Sequence, residues 1–219
     1  MQNGLFHIIN RGFEKHKIFL NKEDYLRFAN NLHDFNSPEV AFLPYPRRRN
    51  VEMTSPQKQI IDVLSWSLLP NHFHILVQDK VEKGRSLFSR KLTIGYTMYV
   101  NPKRQRSGTL FQGRSKIIPV IREAHFLHIP FYVLANPLDL FQFGWKEKGI
   151  QNPKSAIEFL RSYRWCAFSD LVGKNNFPHV INKSLFFDLF DTNEKRLQKD
   201  FLEWLDSYYH DPDLSKFLR

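Results

Sequence analysis

The sequence predicts an α+β fold. Residues 1–140 read as a ferredoxin-like split βαβ domain with a central antiparallel sheet. Residues 141–219 read as a helical extension packed on it. Three observations carry that expectation. Strand-like and helix-like patterning alternate as β-α-β-β-α-β-α through the first part of the chain. The stretch "HFHILV", residues 72–77, is almost continuously apolar, as a strand buried between two others would be. From about residue 141 the chain changes character, to a short helix with an aromatic-rich turn and a later helical stripe. A chain of 219 residues, 42% hydrophobic and 15% aromatic, has room for one such domain with its extension.

Residues 5–13, "LFHIINRGF", read as the first strand. "NKEDYLRFANNLHDFN" follows as a helix with Asn21 as N-cap, Asp24 as a first-turn acid, and Tyr25, Phe28, Ala29 and Leu32 at helical spacing. Residues 44–59 read as a long loop rich in Pro and basic residues. "IIDVLSWSLL" and "HFHILVQ" are two strands joined by a turn at Pro70 and Asn71. Residues 85–100 form a second helix with Leu87, Phe88, Leu92, Tyr96 and Tyr99 as its apolar face. "TLFQGRSKIIPVI" reads as a fourth strand, with Pro119 marking an edge or a bulge. "EAHFLHIPFYVLANP" is a third helix that Pro130 should kink or begin, closed by Asn136 and Pro137. In this topology the strands after the first two helices lie at the edges, and "HFHILV" lies centrally. In the extension, "SAIEFLRSYRWCAFSDLVG" suggests a short helix and an aromatic turn. Asp191 and Glu194 stand at capping-box spacing ahead of the stripe Leu197, Phe201, Trp204, Leu205 and Tyr208.

Composition excludes several classes. Cys166 is the sole cysteine, so neither a disulfide framework nor a cysteine-rich zinc site is expected. The start "MQNGLFHIIN" lacks the pattern of a secretory signal, and no run approaches 18 apolar residues. A cytoplasmic location with no membrane partner is the simplest expectation. Net charge is +10, and it is unevenly spread. Residues 83–122 hold Lys83, Arg85, Arg90, Lys91, Lys103, Arg104, Arg106, Arg114, Lys116 and Arg122 with no Asp or Glu. Such a segment suits a partner made of phosphates, and a solvated basic surface is the plain alternative.

His72 and His74 flank Phe73 at i, i+2, so a strand projects both to one face. Two neutral imidazoles there suit one metal ion, or each makes an ordinary hydrogen bond. Tyr132 and Asn136 stand at i, i+4, on one face of the third helix. If that helix packs over the histidines, the Asn136 amide oxygen completes a metal site open to substrate oxygens. His7, His125 and His128 read as ordinary histidines, and Tyr96, Tyr99 and Phe131 as core.

Four blocks, "INRGFEKHKIFLNKEDYLRF", "LSWSLLPNHFHILV", "GTLFQGRSKII" and "FYVLANP", resemble in order and spacing those of the REP-associated tyrosine transposases, in the single-tyrosine branch of the HUH-endonuclease superfamily. The resemblance spans about residues 5–140, and "SYRWCAFSDLVG" extends it weakly. It implies a nuclease domain acting on single-stranded DNA hairpins, with Tyr132 as nucleophile and His72, His74 and Asn136 as metal ligands. It departs from the family at Leu138, Asp139 and Leu140, where a basic or small residue is usual, at Leu134, where His is common, and in the long loop 44–59.

The chemistry so implied is in-line attack by Tyr132 on a phosphate polarised by Mg2+ or Mn2+. It leaves a 5′-phosphotyrosine and a free 3′-hydroxyl, which a second strand's 3′-hydroxyl can reverse without ATP. Zinc or nickel would also suit two imidazoles. Arg85, Arg90, Lys91, Lys103, Arg104 and Arg106 are expected along the DNA path, and Arg114 and Lys116 as phosphate contacts. Arg11 stands between a DNA contact and a surface ion pair. A catalytically silent hairpin-binding regulator, a plasmid-type replication nickase and a hydrolase of small phosphoesters are the competing readings. Monomer and homodimer both remain open.

Overall fold

Four strands form one antiparallel sheet in the order β2-β3-β1-β4, in a computed structural model that describes residues 4–38 and 58–210. The strands are β1 (Leu5–Arg11), β2 (Ile61–Leu69), β3 (His72–Asp79) and β4 (Lys116–Pro119). Helices α1 (Lys22–Asp34), α2 (Gly84–Lys103) and α3 (Glu123–Ala135) alternate with them in the expected β-α-β-β-α-β-α order. The "HFHILV" strand is central and β2 and β4 are edges, as the split βαβ topology requires. The expected loop at 44–59 lies almost wholly outside the described residues.

One face of the sheet is an apolar, aromatic core. The Asn21 side chain accepts the Asp24 N–H at 3.0 Å and fixes the start of α1. Phe28, Ala29 and Leu32 are then buried, and the Phe28 ring lies 4.9 Å from Phe73 and 5.0 Å from Tyr96 of α2. Gly95 lets α2 approach α1 closely, since a Cβ there would sit 2.4 Å from the Phe35 ring. Tyr96 and Tyr99 are buried here, their hydroxyls bonded to the Ile18 carbonyl at 3.0 Å and the Asp24 carboxylate at 3.1 Å. Leu87, expected on this face, is only half-buried.

Three expectations change. The fourth strand is confined to Lys116–Pro119: Gly113 takes a left-handed φ of 116°, and before it only Phe111 makes a bridge, to Gly12. Pro130 neither begins nor ends α3, which runs through it. The capping box does not form. Asp191 is left-handed, Glu194 pairs with Lys183, and Asn193 instead accepts the N–H groups of Lys195 and Arg196 just ahead of the last helix.

The chain after 137 continues as α4 (Leu138–Phe141), α5 (Trp145–Lys148), α6 (Pro153–Ser162), α7 (Phe168–Leu171), α8 (Lys183–Leu189) and α9 (Leu197–His210). Its attachment to the sheet is partly backbone. Leu68 N–H donates to the Trp165 carbonyl at 2.9 Å, Ala167 N–H to Trp66 at 2.9 Å, and Asn182 N–H to Val63 at 2.8 Å. These bonds cover the exposed side of β2, which would otherwise be a free edge. The stripe Leu197, Phe201, Trp204, Leu205 and Tyr208 is buried, and Phe201 and Trp204 stack near Phe131, so α3 lies between sheet and α9. Among the described residues no helix is long and apolar enough to cross a membrane.

Candidate active site

Directly opposed residues of an antiparallel pair share a face. The register pairs His72 with Arg11, and His74 with Ile9 on one side and Ser67 on the other. Ile9 in turn pairs with Lys116, and His7 with Leu76 and Ile118. His72, His74, His7, Arg11, Lys116 and Ser67 therefore occupy one face, and Phe73 the other. A bulge in β2, with Leu64 as the extra residue between Val63 and Ser65, sets this alignment. It brings the small side chains of Ser65 and Ser67 under α3.

That helix supplies the other half of the site. Tyr132 stands edge-on to two imidazoles, its ring centroid 5.9 Å from His74 and 6.3 Å from His7. The His72 and His74 centroids are 5.2 Å apart. Asn136, one turn beyond Tyr132, is fully buried and donates from Nδ2 to the Tyr132 carbonyl at 2.7 Å. Its Oδ1 accepts from Lys146 Nζ at 3.3 Å, and that ammonium lies 5.4 Å from the Tyr132 ring centroid. Tyr132 itself is only 4% exposed.

The imidazoles are held neutral. Burial, then the charges of Arg11 and Lys146, pushes His72 down to about 4. Burial and the neighbouring imidazoles and cations hold His74 well below its usual range. Burial, with His125 next, pushes His7 down to about 3. Their hydrogen bonds define which nitrogens remain. His72 Nδ1 meets Asn71 Oδ1 at 2.7 Å; the amide oxygen accepts, so Nδ1 carries the proton and Nε2 keeps its lone pair. His74 Nδ1 meets His7 Nε2 at 2.9 Å in a near-parallel stack. When His74 is the donor in that bond, its Nε2 also keeps a lone pair. The His72 Nε2, and in that case the His74 Nε2, are donors of the kind that suits a divalent ion, and Asn136 Oδ1 is the amide oxygen one turn beyond Tyr132. Among the described residues no three His, Cys, Asp or Glu side chains converge on a metal position, so the candidate site stands on two imidazoles and an amide.

The basic residues divide. Arg11, Arg114, Lys116 and Arg90 are exposed, and none is paired with an acid among the described residues. Lys103 and Arg104 are ion-paired with opposite oxygens of Asp24, each at 2.7 Å, on the α1–α2 side. Arg85 pairs with Asp79 and lies over the Phe6 ring. Lys91 donates to the Ser37 carbonyl, and Arg106 to the Thr109 carbonyl at 2.9 Å. Two site residues escaped the sequence reading. His7 was read as ordinary, because only strand register brings it to His74. Lys146 stands ten positions beyond Asn136, at no helical or strand spacing from it.

No protein-family model matches the chain, and no curated protein matches it. A solved structure of a REP-associated tyrosine transposase bound to a REP hairpin is similar to it, with a TM-score of 0.50 and 13% identity, covering 82% of this chain and 85% of that one. At that identity the likeness gives the fold.

Proposed function

We propose that this protein is a transposase-like DNA strand transferase that cleaves and rejoins single-stranded hairpin DNA through a 5′-phosphotyrosine on Tyr132. The observation that carries the reading is that α3 sets Tyr132 against the His72–His74 pair of β3 on one sheet face, with Asn136 one turn beyond Tyr132. The transposase whose fold it shares is bound to a REP hairpin, which supports hairpin DNA as the partner. In this reading His72, His74 and Asn136 hold the metal, and Mg2+ or Mn2+ suits the chemistry. When bound, the ion would polarise a non-bridging phosphate oxygen and neutralise developing charge. The chain's own part is placement. The Tyr132 oxygen is positioned by a helix clamped between sheet and α9, and Arg11, Arg114 and Lys116, exposed and without an acidic partner among the described residues, would offer their charge to the strand entering beside it.

Incubating the protein with a library of single-stranded hairpins and manganese tests this. The expected result is a denaturation-resistant protein–DNA adduct at Tyr132. One observation favours a second reading, a silent hairpin-binding regulator: the Tyr132 ring is nearly closed off from solvent. Hairpin binding without an adduct, for any hairpin or metal, would replace the first reading with the second.

A further inference from the structure

We propose that Lys146 is a catalytic residue of this site: a built-in cation, held on the Asn136 amide oxygen, that meets the scissile phosphate beside Tyr132. The proposal rests on the reading of His72, His74, Tyr132 and Asn136 as the cleavage site, and deepens it.

The fold goes out of its way to bring this ammonium back. Gly144, with a left-handed φ of 77°, turns the chain after α4. Trp145 then anchors α5, 1% exposed and with its ring tilted against that of Tyr208, 5.5 Å away. Lys146 is thereby held with its side chain 15% exposed, 3.3 Å from Asn136 Oδ1, 3.0 Å from Asp139 Oδ2 and over the Tyr132 ring.

The bland account is an ion pair with Asp139. That account explains one of the three contacts. It leaves unexplained why the ammonium also touches the amide proposed as a ligand and the ring proposed as nucleophile. A phosphodiester brings negative charge to that point, and more gathers on the phosphoryl oxygens in the transition state. A half-desolvated cation already in place stabilises that charge without reorganisation. Leu138, Asp139 and Leu140, next in sequence after Pro137, offer no base for the task. In the step itself the bond from the Tyr132 oxygen to phosphorus forms and the bond from phosphorus to the 3′-oxygen breaks. The phenol's proton passes to water and the leaving oxygen takes one from water.

The position of this ammonium has a consequence with a definite sign. A divalent ion held by His72, His74 and Asn136 would be repelled by Lys146, so Lys146 would weaken metal binding in the absence of a phosphate. Metal and DNA should then bind cooperatively.

The test compares wild type, Lys146→Met, Lys146→Arg and Asp139→Asn. Manganese affinity is measured without DNA, and single-turnover cleavage at saturating manganese. Lys146→Met should bind manganese several-fold more tightly yet cleave about 100-fold more slowly. Lys146→Arg should recover much of the rate, and Asp139→Asn should retain it. Unchanged or weaker manganese binding by Lys146→Met, or unimpaired cleavage, overturns the proposal. So does equal loss in Lys146→Met and Asp139→Asn, the outcome of a purely structural ion pair. A wild type that neither binds manganese nor forms an adduct overturns the underlying site as well, which separates the two failures.

Discussion

The two faces of the sheet differ in chemistry, although every strand contributes to both. Toward α1 and α2 stand Phe73, Ile75 and Trp66, all fully buried, with Phe73 against Phe28 and Trp66 edge-on to Phe177. Toward α3 stand His7, His72, His74, Ser65 and Ser67, equally central in the fold yet polar. Ser65 and Ser67 bury hydroxyls that make no hydrogen bond among the described residues. A buried hydroxyl without a partner is destabilising. The aromatic face therefore supplies the stability that lets the polar face be built for chemistry. If so, substitutions on the two faces should fail in different assays.

The sharpest contrast is at Tyr132. Tyr132→Phe removes one oxygen and keeps the ring that packs near His74 and Tyr208. Adduct formation should vanish, while melting temperature and hairpin affinity stay near wild type. An adduct retained by the Phe variant would move the nucleophile elsewhere. Tyr208, its ring 6.3 Å from that of Tyr132, is the neighbour to examine then.

Phe73→Ala should fail in the opposite assay. Its ring is fully buried between Phe28 and Phe111, so truncation should destabilise by about 3–5 kcal/mol, read by denaturant unfolding. His72→Ala, one residue away and pointing the other way, should change stability by less than about 1 kcal/mol but lose cleavage. Equal destabilisation by both would erase the distinction between the faces.

Most of the scaffold was legible because it is periodic. The i, i+2 spacing told which side chains of β3 share a face, and i, i+4 told the same of Tyr132 and Asn136 on α3. What was not legible depended on contacts between distant segments. His7 reaches His74 only through the β1–β3 register. Lys146 returns through a turn set by Gly144. The fourth strand was read too long because Gly113 breaks it in a conformation that composition does not announce. The acid-free run 83–122 misled in a related way: Asp24 and Asp79 lie outside it in sequence and inside it in space.

His7 sharpens the contrast from within the polar face. As an acceptor it would hold the proton of His74 on Nδ1 and leave Nε2 for metal. His7→Phe should weaken manganese binding about 10–100-fold, and His7→Gln, whose amide oxygen can accept, should recover part of it. Nitrogen-detected NMR of the metal-free protein should find the His74 proton on Nδ1. A proton on Nε2 would rule the role out.

Acidity tests the same residue. The His7 pKa is lowered in the fold to about 3 against an ordinary value of 6.5, by burial first and His125 second; His74 and Tyr132 face it as well. The unfolded chain therefore takes up a proton below pH 6.5 that the folded chain refuses. Stability is lost as pH falls from 6.5 toward 3, by up to about 1.4 kcal/mol per pH unit for this one group. Urea unfolding of metal-free protein from pH 7 to 4 should show the slope, and His7→Phe should flatten it. An unchanged slope would mean that His7 is protonated in the fold.

The smallest expected effect separates the basic residues. Arg11 and Lys116 share the polar face and have no acidic partner among the described residues, whereas Lys103 and Arg104 are spent on Asp24 behind the aromatic one. Each phosphate contact releases counterions, so losing one lowers the slope of log affinity against log salt by about 0.7 for a single strand and about 0.9 for a duplex stem. Arg11→Ala and Lys116→Ala should each reduce the slope by roughly that amount, with melting little changed. Lys103→Met should leave the slope alone and lower the melting temperature instead, because it removes one partner of a buried carboxylate. The reverse pattern, a slope that falls with Lys103 and not with Arg11, would put the DNA across α1 and α2. The polar face would then be chemistry without a substrate path, and its buried tyrosine a relic.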